Sequence, residues 1–173
     1  MKKINLKIET FPLIHTDELL EEITEKRYYD CFTLSTFDHW LTDEEAKEGI
    51  VFYSKKMTKE QEKTYQQFES KYIKSFIELY NSYNIVAFYA DYSKENPIIS
   101  YFTFSNISEF ENICINSLHE KELFKLCIPD IGIIIEGGYD LTNLVFYKKE
   151  LEVVELNKIQ TIFLKNGLFV LNT

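Results

Sequence analysis

Glycine and proline are scarce in this chain. Five Gly and three Pro among 173 residues leave little material for long flexible linkers, repeats or a Gly-rich loop that cradles phosphate. Arginine is almost missing: Arg27 is the one Arg among nineteen bases, and Arg is the side chain best shaped for bidentate phosphate contacts. Cysteine is low and odd in number. Cys31, Cys114 and Cys127 show no paired spacing, so they read as buried apolar residues or inert thiols, with no disulfide framework. No apolar run approaches the ~20 residues of a membrane span; one of the longest is Ile85 to Ala90. The basic start Met1-Lys2-Lys3 leads into an alternating stretch, where a signal peptide would continue with about 7–15 apolar residues. The expected compartment is the cytoplasm.

What is present is acid and aromatic surface. The formal net charge is −9, and residues 1–50 alone hold twelve acids against six bases. Such a balance repels nucleic acid and attracts a basic partner. Aromatics make up 16% of the chain, with twelve Tyr and fourteen Phe. Each buries about 150–250 Å², so a few of them dominate a core, and twelve Tyr exceed what a core needs. A composition of 45% hydrophobic and 27% charged residues is that of a globular protein. The length fits one domain over residues 1–173, large enough to bury a core without disulfide or metal.

Periodicity places the elements. Ile4, Leu6 and Ile8 alternate with polar residues as in a half-buried strand, and Thr16-Asp17 caps a helix after Pro12. Residues 31–37 favour strand by composition. Thr42 to Glu45 is a capping box that starts a short helix, and residues 50–56 are ambiguous. Thr58 with Gln61 opens the clearest element, in which Tyr65, Phe68, Tyr72, Phe76, Leu79 and Tyr83 recur at helical steps. This predicts an amphipathic helix of about 25 residues.

Strands are expected over 85–92 and 98–104, joined as a hairpin. Ser108 to Glu111 is a further capping box, for a helix that turns Phe110, Ile113, Cys114 and Leu118 inward. Residues 120–128 are expected to add a helical turn that Pro129 ends. Strands over 131–136 and 141–147 meet around Gly137-Gly138. Asn166-Gly167 suits either a hairpin or a helix stop; a helix to Lys165 and a strand over 168–171 is the preferred reading. The fold expected is α+β, a single domain with a mixed or antiparallel sheet of about five to six strands. A long amphipathic helix and shorter helices pack on it.

No catalytic motif stands out. In Asp38-His39-Trp40, neighbouring residues of an extended chain point to opposite faces, so Asp38 is poorly placed to orient His39. His15 and His119 are isolated in the sequence. Glu120 and Glu122 beside His119 lack the spacing of a metal site. Gly137-Gly138-Tyr139-Asp140 lacks the signatures of a nucleotide loop. No cofactor and no metal are expected.

The acids Asp38, Asp43, Glu44, Glu45 and Glu48 crowd around Trp40, with Tyr53 near in sequence, and Asp91 with the aromatics of the strand expected over 85–92 as an extension of the patch. An aromatic anchor ringed by acids is the anatomy of a surface that grips a basic protein. The function expected is therefore that of a small acidic binding protein. The preferred version is an immunity or inhibitor protein that occludes the active site of a basic toxin enzyme such as a nuclease, with no nucleic-acid or membrane partner. The alternatives are a regulatory adaptor, and a small enzyme whose site is assembled from scattered residues.

Overall fold

The computed structural model describes residues 1–5, 29–48, 53–54, 56–91 and 98–172. The helix expected after Thr16 and the alternation at Leu6 and Ile8 lie outside the described residues. Eight strands form one sheet: β1 (Lys2–Ile4), β2 (Tyr29–Ser35), β3 (Val86–Asp91), β4 (Ile98–Thr103), β5 (Lys125–Ile128), β6 (Ile133–Gly137), β7 (Thr142–Lys148) and β8 (Phe169–Asn172). Their spatial order is β1-β4-β3-β5-β6-β7-β2-β8, and every pairing is antiparallel. The sheet thus exceeds the expected five to six strands. The helices among the described residues are α1 (Asp43–Glu48), α2 (Lys59–Ser82), α3 (Ile107–Leu118) and α4 (Val153–Lys165). None of the described helices is long and apolar enough to cross a membrane.

Strand parity divides the core in two. Phe32 and Leu34, Ala87, Leu126, Ile135 and Val145 share one face with the buried residues of α2, α3 and α4. Val86, Phe88, Tyr101, Cys127, Ile134 and Phe146 form a second apolar cluster, one residue out of phase along each strand, hence on the opposite face. Tyr72 ties the long helix to two strands. Its hydroxyl, fully buried, is shared between the carbonyls of Leu34 (3.1 Å) and Leu141.

α2 follows its capping box as expected. Thr58 Oγ1 accepts from Gln61 N at 3.2 Å, and Gln61 Oε1 accepts from Thr58 N at 2.9 Å. Tyr65, Tyr72, Phe76 and Leu79 are buried along it. α3 starts two residues before the expected box. Asn106 caps it, accepting from Glu109 N at 3.0 Å, while Glu109 Oε2 accepts from Ser105 N at 2.7 Å. Asn and Ser are comparable caps, and here Asn106 holds the position.

α4 ends as preferred, on Gly167. Its φ is +83°, Gly167 N donates to Leu164 O at 3.0 Å and Leu168 N to Phe163 O at 3.1 Å, the pattern of a left-handed C-terminal cap. α3 ends in the same way with a non-glycine residue: Glu120 has φ +54°, and the N–H groups of Glu120 and Lys121 reach Ser117 O and Asn116 O at 2.9 and 3.0 Å.

Two local expectations are corrected. Residues 125–128 are strand β5, not a helical turn; Leu126, Cys127 and Ile128 are buried in succession because both faces of the sheet are covered there. The β6–β7 turn does not centre on Gly137-Gly138. It closes over Asp140 (φ +56°) and Leu141 (φ +52°), with Thr142 N donating to Tyr139 O at 3.0 Å, a mirror-image turn that usually takes Asn or Gly. Gly137 and Gly138 serve close approach instead. A Cβ on Gly138 would stand 2.8 Å from Thr142 O, and one on Gly137 would collide with Ser117 Oγ of α3.

Candidate functional site: an acidic cap around Trp40

Beyond Ser35 the chain leaves the sheet in a bend over residues 36–39. Ser35 Oγ accepts from Phe37 N at 3.0 Å. Phe37 then turns its ring edge-on to Phe68 of α2, 5.5 Å between centroids, which ties the bend to the long helix. The residues after this tie are exposed: Asp38, His39 and Trp40, the last at 55%.

The cap is internally ordered. His39 Nδ1 lies 2.7 Å from Asp38 Oδ1, and its Nε2 lies 3.2 Å from Glu45 Oε1. The other oxygen of Glu45 accepts from both Thr42 N and Thr42 Oγ1 at 2.9 Å, and Glu45 N donates back to Thr42 Oγ1 at 3.3 Å. This is the expected capping box of α1. The expectation that Asp38 is poorly placed to orient His39 is overturned, because the chain bends at 36–39 and opposite-face geometry does not apply. Both ring nitrogens of His39 therefore face carboxylates.

The predicted surface residues divide. Asp38, Trp40, Asp43, Glu44 and Glu45 are brought together on the bend and the first turn of α1, all exposed. The side chains of Glu48 and Asp91 lie outside the described residues. Tyr53 belongs to a different cluster. It is half-buried, stacked on His119 at 3.9 Å with 6° between planes, and edge-on to Tyr65 at 5.6 Å.

That cluster contains an arrangement sequence reasoning missed. His119 Nε2 meets Glu69 Oε2 at 2.5 Å, joining α3 to α2 across fifty residues. Tyr65, beneath it, donates to Leu118 O at 2.5 Å; burial first, then the carboxylates of Glu69 and Glu120, push its hydroxyl pKa up. A Glu–His pair has the groups for acid–base chemistry. The free His119 Nδ1, however, is buried without a hydrogen-bond partner, and the ring is covered by Tyr53. No local signal marks the pairing, which joins residues fifty positions apart.

Two cavities accompany these features. One of about 220 Å³ lies between the sheet and α3, among Ala87, Tyr89, Phe102, Ile113, Asn116 and Phe124. The other, about 410 Å³, is a wider depression among Asp130, Gly132, Lys148, Glu150, Glu152 and Glu155. Neither is lined by His39, Glu69 or His119. Among the described residues no group of three or more His, Cys, Asp and Glu could hold a metal ion. No protein-family model, curated protein or solved structure matches this chain.

Proposed function

We propose that this protein binds a basic protein partner through the cap formed by Asp38, Trp40, Asp43, Glu44 and Glu45. The observation that carries the reading is Trp40. The one tryptophan of the chain stands more than half exposed on a loop tied down on both sides of it. Tryptophan buried in an interface is among the strongest anchors known, typically about 2 kcal/mol or more. The surrounding carboxylates give the surface the sign that attracts cationic groups and speeds encounter.

The version we favour is an immunity or inhibitor protein that covers the basic cleft of a toxin enzyme such as a nuclease. An enzyme that handles polyanionic substrate carries a positive cleft, and its inhibitor needs the opposite charge together with apolar area. A regulatory adaptor with a basic partner uses the same surface and differs in what binding does to the partner.

Parallel captures with the native protein and with Trp40→Ala test this, followed by kinetics on the captured partner. The partner should be basic and retained by the native protein alone. Trp40→Ala should speed dissociation at least about 30-fold, the equivalent of 2 kcal/mol. Glu44→Lys should slow association, and added salt should slow it in the native protein as well. Glu45 is a poor choice for this reversal, since it holds Thr42 and His39. Loss of nuclease activity on mixing separates inhibitor from adaptor. Unchanged kinetics in both variants would place the interface elsewhere.

A further inference from the structure

His39 sits between two carboxylates, Asp38 Oδ1 at 2.7 Å from Nδ1 and Glu45 Oε1 at 3.2 Å from Nε2. A neutral imidazole has one N–H and one lone pair. In either tautomer one carboxylate would face that lone pair. Only the imidazolium presents a donor to both. We propose that His39 is held as the doubly protonated cation between Asp38 and Glu45, and that this clamp positions Trp40 for the partner.

The inference rests on the reading of Trp40 as the anchor. It adds a residue that sets the anchor's geometry and a pH range in which the surface is formed. The geometry is a short closed circuit. Asp38 and His39 belong to the bend, Glu45 to α1, and Glu45 is itself fixed by two bonds to Thr42. Trp40 and Leu41 span the gap between the two fixed points, so their backbone path is constrained at both ends.

The charged groups facing the ring are Asp38 from its own turn and Glu45 from α1. The bond to Asp38, then that to Glu45, raises the His39 pKa above 6.5. The bond to His39 is the first cause that lowers Asp38 below 3.8. Glu45 is lowered below 4.5, first by the backbone and side chain of Thr42 and then by His39. The signs define a window. The clamp is complete below the ordinary histidine value and is lost as pH rises through the raised His39 pKa. At the acid end it is lost as pH falls through the lowered carboxylate values.

NMR of the full chain, following the His39 ring nitrogens and the Trp40 indole N–H from about pH 5 to about pH 9, tests the clamp without a partner. The indole is an unambiguous reporter, because the chain has one Trp. The His39 midpoint should lie above 6.5, with both nitrogens protonated below it. The midpoint should fall in Asp38→Asn and in Glu45→Gln. Order at the indole, read as its heteronuclear NOE, should drop as pH passes the midpoint and stay low at every pH in His39→Gln. A midpoint at or below 6.5, a midpoint unmoved in Asp38→Asn, or indole order indifferent to both pH and His39→Gln overturns the proposal. The two readings fail separately. A flat indole response in a protein whose Trp40→Ala variant has lost its partner defeats the clamp alone. Normal binding by Trp40→Ala, with the His39 titration intact, defeats the anchor reading.

Discussion

Glu120 and Leu141 are both held at positive φ without being glycine, yet they are held there by different means. Such a conformation costs an L-residue about 1–2 kcal/mol. Leu141 is buried at 3% exposure, and its carbonyl takes the Tyr72 hydroxyl. Glu120 is only half-buried, and its carboxylate accepts from the backbone N–H of Asp140 at 3.1 Å, so one unusual turn braces the other. Substitution by glycine removes the strain in both places and should separate the two cases. Leu141→Gly forfeits a buried side chain worth about 2–5 kcal/mol, which outweighs the relief, and a net loss of about 2 kcal/mol is expected. Glu120→Gly forfeits a single bond of about 0.5–1.5 kcal/mol and should stay within about 1 kcal/mol of the native protein. Urea titration of both variants checks this, and equal losses would mean the Leu141 side chain contributes little to the turn.

Among the described helices, α2 buries the most residues and has the clearest signature. Phe76, at 1% exposure, meets the rings of Phe124 and Phe163 edge-on at 5.4 and 6.5 Å. Phe76→Ala should cost about 3–5 kcal/mol, whereas Lys74, on the exposed side, should tolerate Ala within about 0.5 kcal/mol. Comparable losses in denaturant melts would contradict this division of the helix. The stripe from Tyr65 to Leu79 was legible because a helix that buries one side must repeat its apolar residues every three or four positions. The same holds for Ile159, Ile162 and Phe163 in α4, and Gly167 then decides helix stop over hairpin.

β5 was not legible, since Leu126, Cys127 and Ile128 are buried in succession and leave no alternation to read. The β6–β7 turn was misplaced for a related reason. Asp140 accepts a left-handed conformation more readily than most residues, but Leu141 does not, and burial holds it there. At the candidate site, the acids and Trp40 were visible as a local cluster, and the Thr42–Glu45 box was visible as a spacing. The bend that turns Asp38 onto His39, and the stack of Tyr53 on His119, depend on contacts with α2 and α3 that lie outside any local window.

At the scale of the whole molecule, the aromatic and thiol groups of the interior set a limit on alkali tolerance. Burial raises Tyr29, Tyr65, Tyr72 and Tyr101 above their ordinary 10.0. It pushes Tyr83, with help from Glu155, and Cys127 up to about 12. These groups are neutral in the folded chain and ionise more readily in the unfolded one. Their contribution is complete below the unfolded values of 9.0 for Cys and 10.0 for Tyr, and it is lost as pH rises from there through the raised folded values. Circular dichroism should therefore show cooperative alkaline unfolding that begins above about pH 9–10, with tyrosinate absorbance appearing in the same transition. Tyrosinate that develops gradually while the far-ultraviolet signal stays native would mean these hydroxyls are open to solvent.

The position of β2 in the sheet has a consequence for how the chain is made. β5, β6 and β7 form a meander of near neighbours within residues 125–148, but β2 pairs with β7 across more than a hundred residues, Cys31 opposite Phe146. β8, in turn, has β2 as its neighbour in the sheet. At roughly 5–20 residues per second, a ribosome releases β2 on the order of ten seconds before its partner strand exists. Through that interval Phe32 and Leu34, which end up fully enclosed, travel on a nascent chain without the strand that pairs with them in the sheet. The late pairing of β2 thus leaves an unpaired strand edge during synthesis, a hazard for wrong association that a chaperone would guard.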